Sequence, residues 1–75
     1  MYSHSDDKFL SKAFGLRVQR AREAAGLTKA QLARDAEVDS RSLARLESGK
    51  GRVRLVTALR VARTLGLDLE RAEDA

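Results

Sequence analysis

Residues 31–50, QLARDAEVDSRSLARLESGK, hold two short helical segments on either side of Glu37 and Val38, with no proline and a first glycine only at Gly49. In the second segment Leu43 and Leu46 fall on one side, and Ser40, Arg41, Ala44 and Arg45 fall on the other. Arg41 and Arg45 are four residues apart, so they sit one turn apart on the same face. Two readings fit this pattern. The outer face is simply solvated, or it is built to meet something negative.

Working outward, Thr28 is a natural N-cap for the first of these segments, with Gln31 at the capping-box position and Leu32, Ala33 and Ala36 facing inward. That places one helix at about 29–36. Asp39 suits the N-terminus of the next, at about 40–48, because its carboxylate accepts from free backbone N–H groups and favours the positive end of the helix dipole. Upstream, Leu10, Phe14, Val18, Ala21 and Ala25 fall on one helical stripe, Ser11 is placed to cap it, and Gly26 stops it. Downstream, Gly49 and Gly51 break the chain, and Leu55, Ala58, Leu59, Ala62 and Leu65 define a fourth helix that ends at Gly66. In the tail, Asp68 could cap a last helical turn, or the alternation from Leu67 to Glu70 could form a short strand. The expectation is an all-α domain of four to five helices. It spans residues 10–69, between a flexible N-terminal segment, 1–9, and an acidic tail, 70–75.

Composition narrows the function. Seventy-five residues permit one domain with a modest core. There is no cysteine to form a disulfide or thiolate metal site, and the single histidine, His4, has no second histidine with which to share a metal. No signal-peptide pattern and no apolar run near ~20 residues occurs, so the expected location is the cytoplasm. Residues 12–63 carry 13 Lys/Arg against 5 Asp/Glu, a net of +8 within a chain whose total is +4. Ten of those 13 are arginine, the side chain best suited to bidentate contacts with phosphate and base edges. No nucleophile–base pair, ligand cluster or phosphate-binding glycine loop is present, which argues against an enzyme and calls for no cofactor.

Two short helices joined by a tight turn, the second with a basic outer face, form the plan of a helix-turn-helix. From Phe14 to Leu67 the chain resembles the lambda-repressor-like (Cro/C1, XRE-type) regulators. The likeness is carried by FGLRVQRAREAAGLT, KAQLARDAEVD, SRSLARLESGKG and LVTALRVARTLGLDL. It implies a protein that binds double-stranded DNA, with the 40–48 helix in the major groove. Ser40, Arg41 and Arg45 match positions that read base edges, and Ala44 lies where it would meet a thymine methyl. Asp39 stands where Ser or Thr is usual and could accept from a cytosine amino group, although capping is its first role. Lys29, Ser48, Lys50 and Arg52 match positions that grip phosphate, and Arg22 and Glu47 match a structural ion pair. Arg17, Arg20, Arg34, Arg60 and Arg63 read as solvated surface, with Arg20 within reach of phosphate.

Besides Asp39, three departures from the family pattern stand out. Glu37 occupies a turn position often filled by glycine, Val53 a position where proline is frequent, and Arg54 a position where a capping residue is usual. A single module contacts little DNA, so a homodimer is expected. Leu67 and Leu69 are its candidate interface, with Leu16 or Val56 as outside candidates. The resemblance covers small autonomous repressors and activators. An antitoxin that also binds a toxin protein, or a protein-binding adaptor on the same fold, are the alternatives.

Overall fold

The computed structural model describes residues 12–50 and 52–67. Four α-helices follow one another: α1 (Lys12–Ala24), α2 (Lys29–Ala36), α3 (Ser40–Ser48) and α4 (Leu55–Leu65). No strand occurs among the described residues. Ser11 as a cap, the 1–9 segment, Leu69, the strand or turn from Asp68 and the 70–75 tail all lie outside them.

Local chemistry sets the boundaries. Thr28 and Gln31 form a complete capping box: the Gln31 N–H donates to Thr28 Oγ1 at 3.0 Å, and the Thr28 N–H donates to Gln31 Oε1 at 2.8 Å. Asp39 caps α3 by accepting from the Ser42 N–H at 3.1 Å. Arg54 precedes α4 in an extended conformation and supplies no side-chain cap, because a guanidinium has nothing with which to accept.

Helices α1, α2 and α4 close with the same device, the Schellman motif. The N–H of Leu27 donates to Arg22 O, that of Val38 to Ala33 O, and that of Leu67 to Ala62 O, at 3.1, 2.9 and 2.8 Å. Each of these three apolar residues then packs against the core. The residue before each one is left-handed. Gly26 and Gly66 take this conformation freely, whereas Glu37 takes it with φ at 61° despite its Cβ. The turn therefore keeps the shape a glycine would give it and holds the strain.

The core joins all four helices: Phe14 and Val18 from α1, Leu32, Ala33 and Ala36 from α2, Leu43 and Leu46 from α3, and Ala58, Val61 and Ala62 from α4. Val53, on the link between α3 and α4, is buried with them. Two expectations are corrected. Leu59 is 41% exposed and Val61 fully buried, because α4 presents Ala58, Val61, Ala62 and Leu65 inward and Leu59 lies about 100° round the axis from Ala58. Ala25 is exposed, because α1 ends at Ala24 and the chain has left the stripe.

Candidate nucleic-acid interface

Helix α3 has two faces of opposite chemistry. Leu43 and Leu46 are at most 1% exposed, whereas Ser40, Arg41, Ala44, Arg45 and Ser48 are exposed. Neither Arg41 nor Arg45 makes a side-chain ion pair or hydrogen bond with any described residue. Two guanidiniums one turn apart thus project from a short helix whose opposite side is locked into the core. Such an element fits a major groove about 12 Å wide.

The other end of α3 is fixed by a buried charge pair. Arg22 on α1 donates from Nε to Glu47 Oε2 at 2.7 Å and from Nη2 to Oε1 at 3.2 Å, while its Nη1 donates to Leu27 O at 2.9 Å. Both residues are less than 10% exposed. Hydrogen bonding to Glu47 raises the Arg22 pKa above its ordinary value, against the opposing effect of burial. One guanidinium therefore links α1, the link to α2 and the last turn of α3.

A close backbone contact that periodicity does not reveal sits beside this pair. Gly15 is buried in α1, and a Cβ there would lie 2.4 Å from Leu46 O and 2.7 Å from Glu47 O. Only a residue without a side chain lets α1 approach the backbone of α3 so closely. The available signal was a glycine inside an apolar helical stripe, where it costs about 0.5–1 kcal/mol relative to alanine and calls for a packing reason.

At the start of α3, the Asp39 carboxylate is committed locally: Oδ2 takes the Ser42 N–H, and Oδ1 takes the Ser42 hydroxyl at 2.7 Å. The Ser42 hydroxyl first, and then its N–H, hold the Asp39 pKa below the ordinary carboxylate value, with the Arg41 charge a minor contributor. Lys29 is exposed beside the capped N-terminus of α2. Lys50 and Arg52 are exposed on the link that follows α3. The Ser48 hydroxyl donates to Arg45 O at 3.1 Å and accepts from the Lys50 N–H at 3.3 Å, which ties that link to the helix. Among the described residues no His, Cys, Asp or Glu group could hold a metal ion, and no helix is long and apolar enough to cross a membrane.

A family profile described as a helix-turn-helix domain matches residues 13–75. Comparison with proteins of curated function gave no match. Among solved structures, the chain is similar to the restriction-modification controller protein C.AhdI from Aeromonas hydrophila. The two share 30% identity with a TM-score of 0.69, over 80% of this chain and 91% of that one. It is also similar to the clp gene regulator ClgR from C. glutamicum, at 26% identity and a TM-score of 0.67, over 81% of this chain and 79% of that one.

Glu47→Ala strands a buried guanidinium and is expected to destabilise the domain by about 3–5 kcal/mol, whereas replacing both partners (Arg22→Met with Glu47→Leu) recovers most of that loss. Urea midpoints of the three proteins check this. Asp39 has a lowered pKa when folded, so its capping contribution is complete above the ordinary carboxylate pKa, about 4, and is lost as pH falls through the folded value. Asp39→Ala should therefore be less stable than the parent near neutral pH, with the gap closing in acid; a pH series of unfolding curves measures it.

Proposed function

The chain belongs to the helix-turn-helix domain family, as a DNA-binding transcriptional regulator of the lambda-repressor-like (Cro/C1, XRE) type, and from that premise we propose that it works as a homodimer on a two-fold symmetric operator. In this reading α3 enters the major groove. Arg41 and Arg45 read base edges, with Ser40 and Ala44 beside them, while Lys29, Ser48, Lys50 and Arg52 hold the backbone. The observation that carries it is the outer face of α3: two exposed arginines, free of acidic partners among the described residues, on a helix bolted down from behind. Asp39 contributes to reading only secondarily, since both of its oxygens already serve Ser42.

Arginine pairs bidentately with the O6 and N7 of guanine, which contributes roughly 1–3 kcal/mol of discrimination per base pair. A guanine-containing half-site is therefore expected. Dimerisation sets two such half-sites about 34 Å apart along the helix axis. Leu16, Val56 and Leu59 are 42%, 49% and 41% exposed, an apolar complement available to a second copy. Leu67 is half-buried against the core, so it reaches a partner with only part of its surface; Leu69 continues from it in sequence. The likeness to a restriction-modification controller favours a small autonomous regulator over an antitoxin.

Arg41→Ala tests base reading directly. Its exposure predicts a stability change within about 0.5 kcal/mol. Its role predicts relaxed preference at one base pair of each half-site, with a loss of about 1–3 kcal/mol on the preferred sequence only. Lys50→Ala, by contrast, should weaken all sequences alike and reduce the salt slope by about 1. Competition binding with matched and single-substituted duplexes at two salt concentrations separates the two. Uniform weakening by Arg41→Ala contradicts base reading.

A further inference from the structure

Arg60 is exposed on α4 and has every sequence attribute of a solvated charge, yet its Nη1 donates to the carbonyl oxygen of Glu37 at 3.0 Å, across 23 positions of chain. Glu37 is the residue that closes α2 and starts the turn into α3. It is also the one non-glycine residue with positive φ among those described.

The molecule contains its own control for this contact. Three helices close with a left-handed residue followed by an apolar one, at Gly26–Leu27, Glu37–Val38 and Gly66–Leu67. Two of them use glycine, for which the left-handed region is free of strain. Neither the Gly26 nor the Gly66 carbonyl takes a donor from a described side chain; at the α1 closure a guanidinium reaches only the next carbonyl, Leu27 O, and it comes from Arg22 of α1 itself. The one strained closure, at Glu37, is the one that receives a guanidinium from another helix.

The surroundings fit the same role. Arg60 lines a shallow open cleft with Asp35, Ala36, Glu37, Arg63 and Thr64. No ion pair within 4 Å forms there between described residues, so the bond to the carbonyl is the specific contact that Arg60 makes. Thr64 donates its hydroxyl to Arg60 O at 2.8 Å. This bond ties the arginine's own backbone to the next turn of α4.

We propose that Arg60 is a positioning residue for the reading helix: from α4 it braces the strained Glu37 turn and thereby holds α3 in the orientation that meets DNA. The DNA part of this statement rests on the function proposed above; the brace itself does not. Without Arg60 the turn samples other shapes, and apparent affinity falls by the fraction of molecules whose turn is no longer competent. A glycine at position 37 adopts the left-handed conformation without the Cβ penalty that Glu37 bears, so a turn carrying Glu37→Gly stays competent without a brace.

The test combines Arg60→Ala and Glu37→Gly, singly and together. Amide hydrogen exchange is read at Val38, whose N–H closes the turn onto Ala33 O, with Val18 as a core reference. Affinity is read on a duplex selected from a random pool, at two salt concentrations. Arg60→Ala should accelerate Val38 exchange by roughly threefold to tenfold, the range of one exposed hydrogen bond, and leave Val18 unchanged. It should also weaken DNA binding severalfold without changing the salt slope. On the Glu37→Gly background the affinity loss should largely disappear.

Unchanged exchange at Val38 overturns the brace. Unchanged affinity with faster exchange overturns the positioning role. An equal affinity loss on both backgrounds, or a salt slope reduced by about 1, makes Arg60 a phosphate contact instead. Should the unaltered protein bind no DNA, the functional reading fails, and the Val38 measurement still decides whether the brace exists.

Discussion

The bidentate pair between Arg22 and Glu47 joins residues 25 positions apart, and the presentation of α3 depends on it. A nine-residue helix is too short to be stable alone in water, so its orientation must come from what it packs against. Leu43 and Leu46 supply the attraction, which is non-directional. The ion pair supplies direction, because a planar fork meeting a carboxylate tolerates little rotation. Burying these charges is costly, and the structure offsets the cost by placing them within hydrogen-bonding distance of each other and of Leu27 O. Gly15 completes the arrangement by letting α1 reach the backbone of α3 at its last turn.

From this constraint a division of labour follows along α3. Its C-terminal turn is held by α1, its N-terminal end is capped by Asp39, and its inner face lies in the core. What remains free is the outer face, where Arg41 and Arg45 stand. Each arginine would be an ordinary surface residue on a loose helix. On a fixed one they occupy defined positions relative to each other and to the basic link that follows. Base reading requires this, because a bidentate contact is sensitive to both distance and angle.

Much of the scaffold was legible in the sequence because it rests on short-range chemistry. Thr28 with Gln31, Asp39 before Ser40, Gly26 and Gly66 each act within a few residues of themselves, and the helix bounds follow from them. The inward choice in α4 was less legible. Leu59 and Val61 are both apolar and each falls at helical spacing from Ala58 or Ala62, so periodicity over eleven residues does not tell that only Val61 belongs to the buried stripe. The partners of Gly15 and Arg60 were not legible, since they depend on which backbone atoms tertiary packing brings near; for Gly15 the sequence offers only a glycine within an apolar helical stripe. A glycine facing a carbonyl and an arginine facing a carbonyl look, in the chain, like any other glycine and arginine. The outer face of α3 sits between these cases. Its composition is plain in the sequence, and its exposure is plain in the structure.

Reading of base sequence by α3, as half of a symmetric pair, differs measurably from clinging to phosphate. Selection from a pool of random duplex DNA with the full chain, sequenced after several rounds and repeated at two salt concentrations, separates the two. Base reading by a dimer enriches a two-fold symmetric site containing guanine, with half-sites about one helical turn apart, and gives binding that outlasts added salt better on that site than on the unselected pool. A pool that stays random, with binding that vanishes alike for every sequence as salt rises, would contradict it.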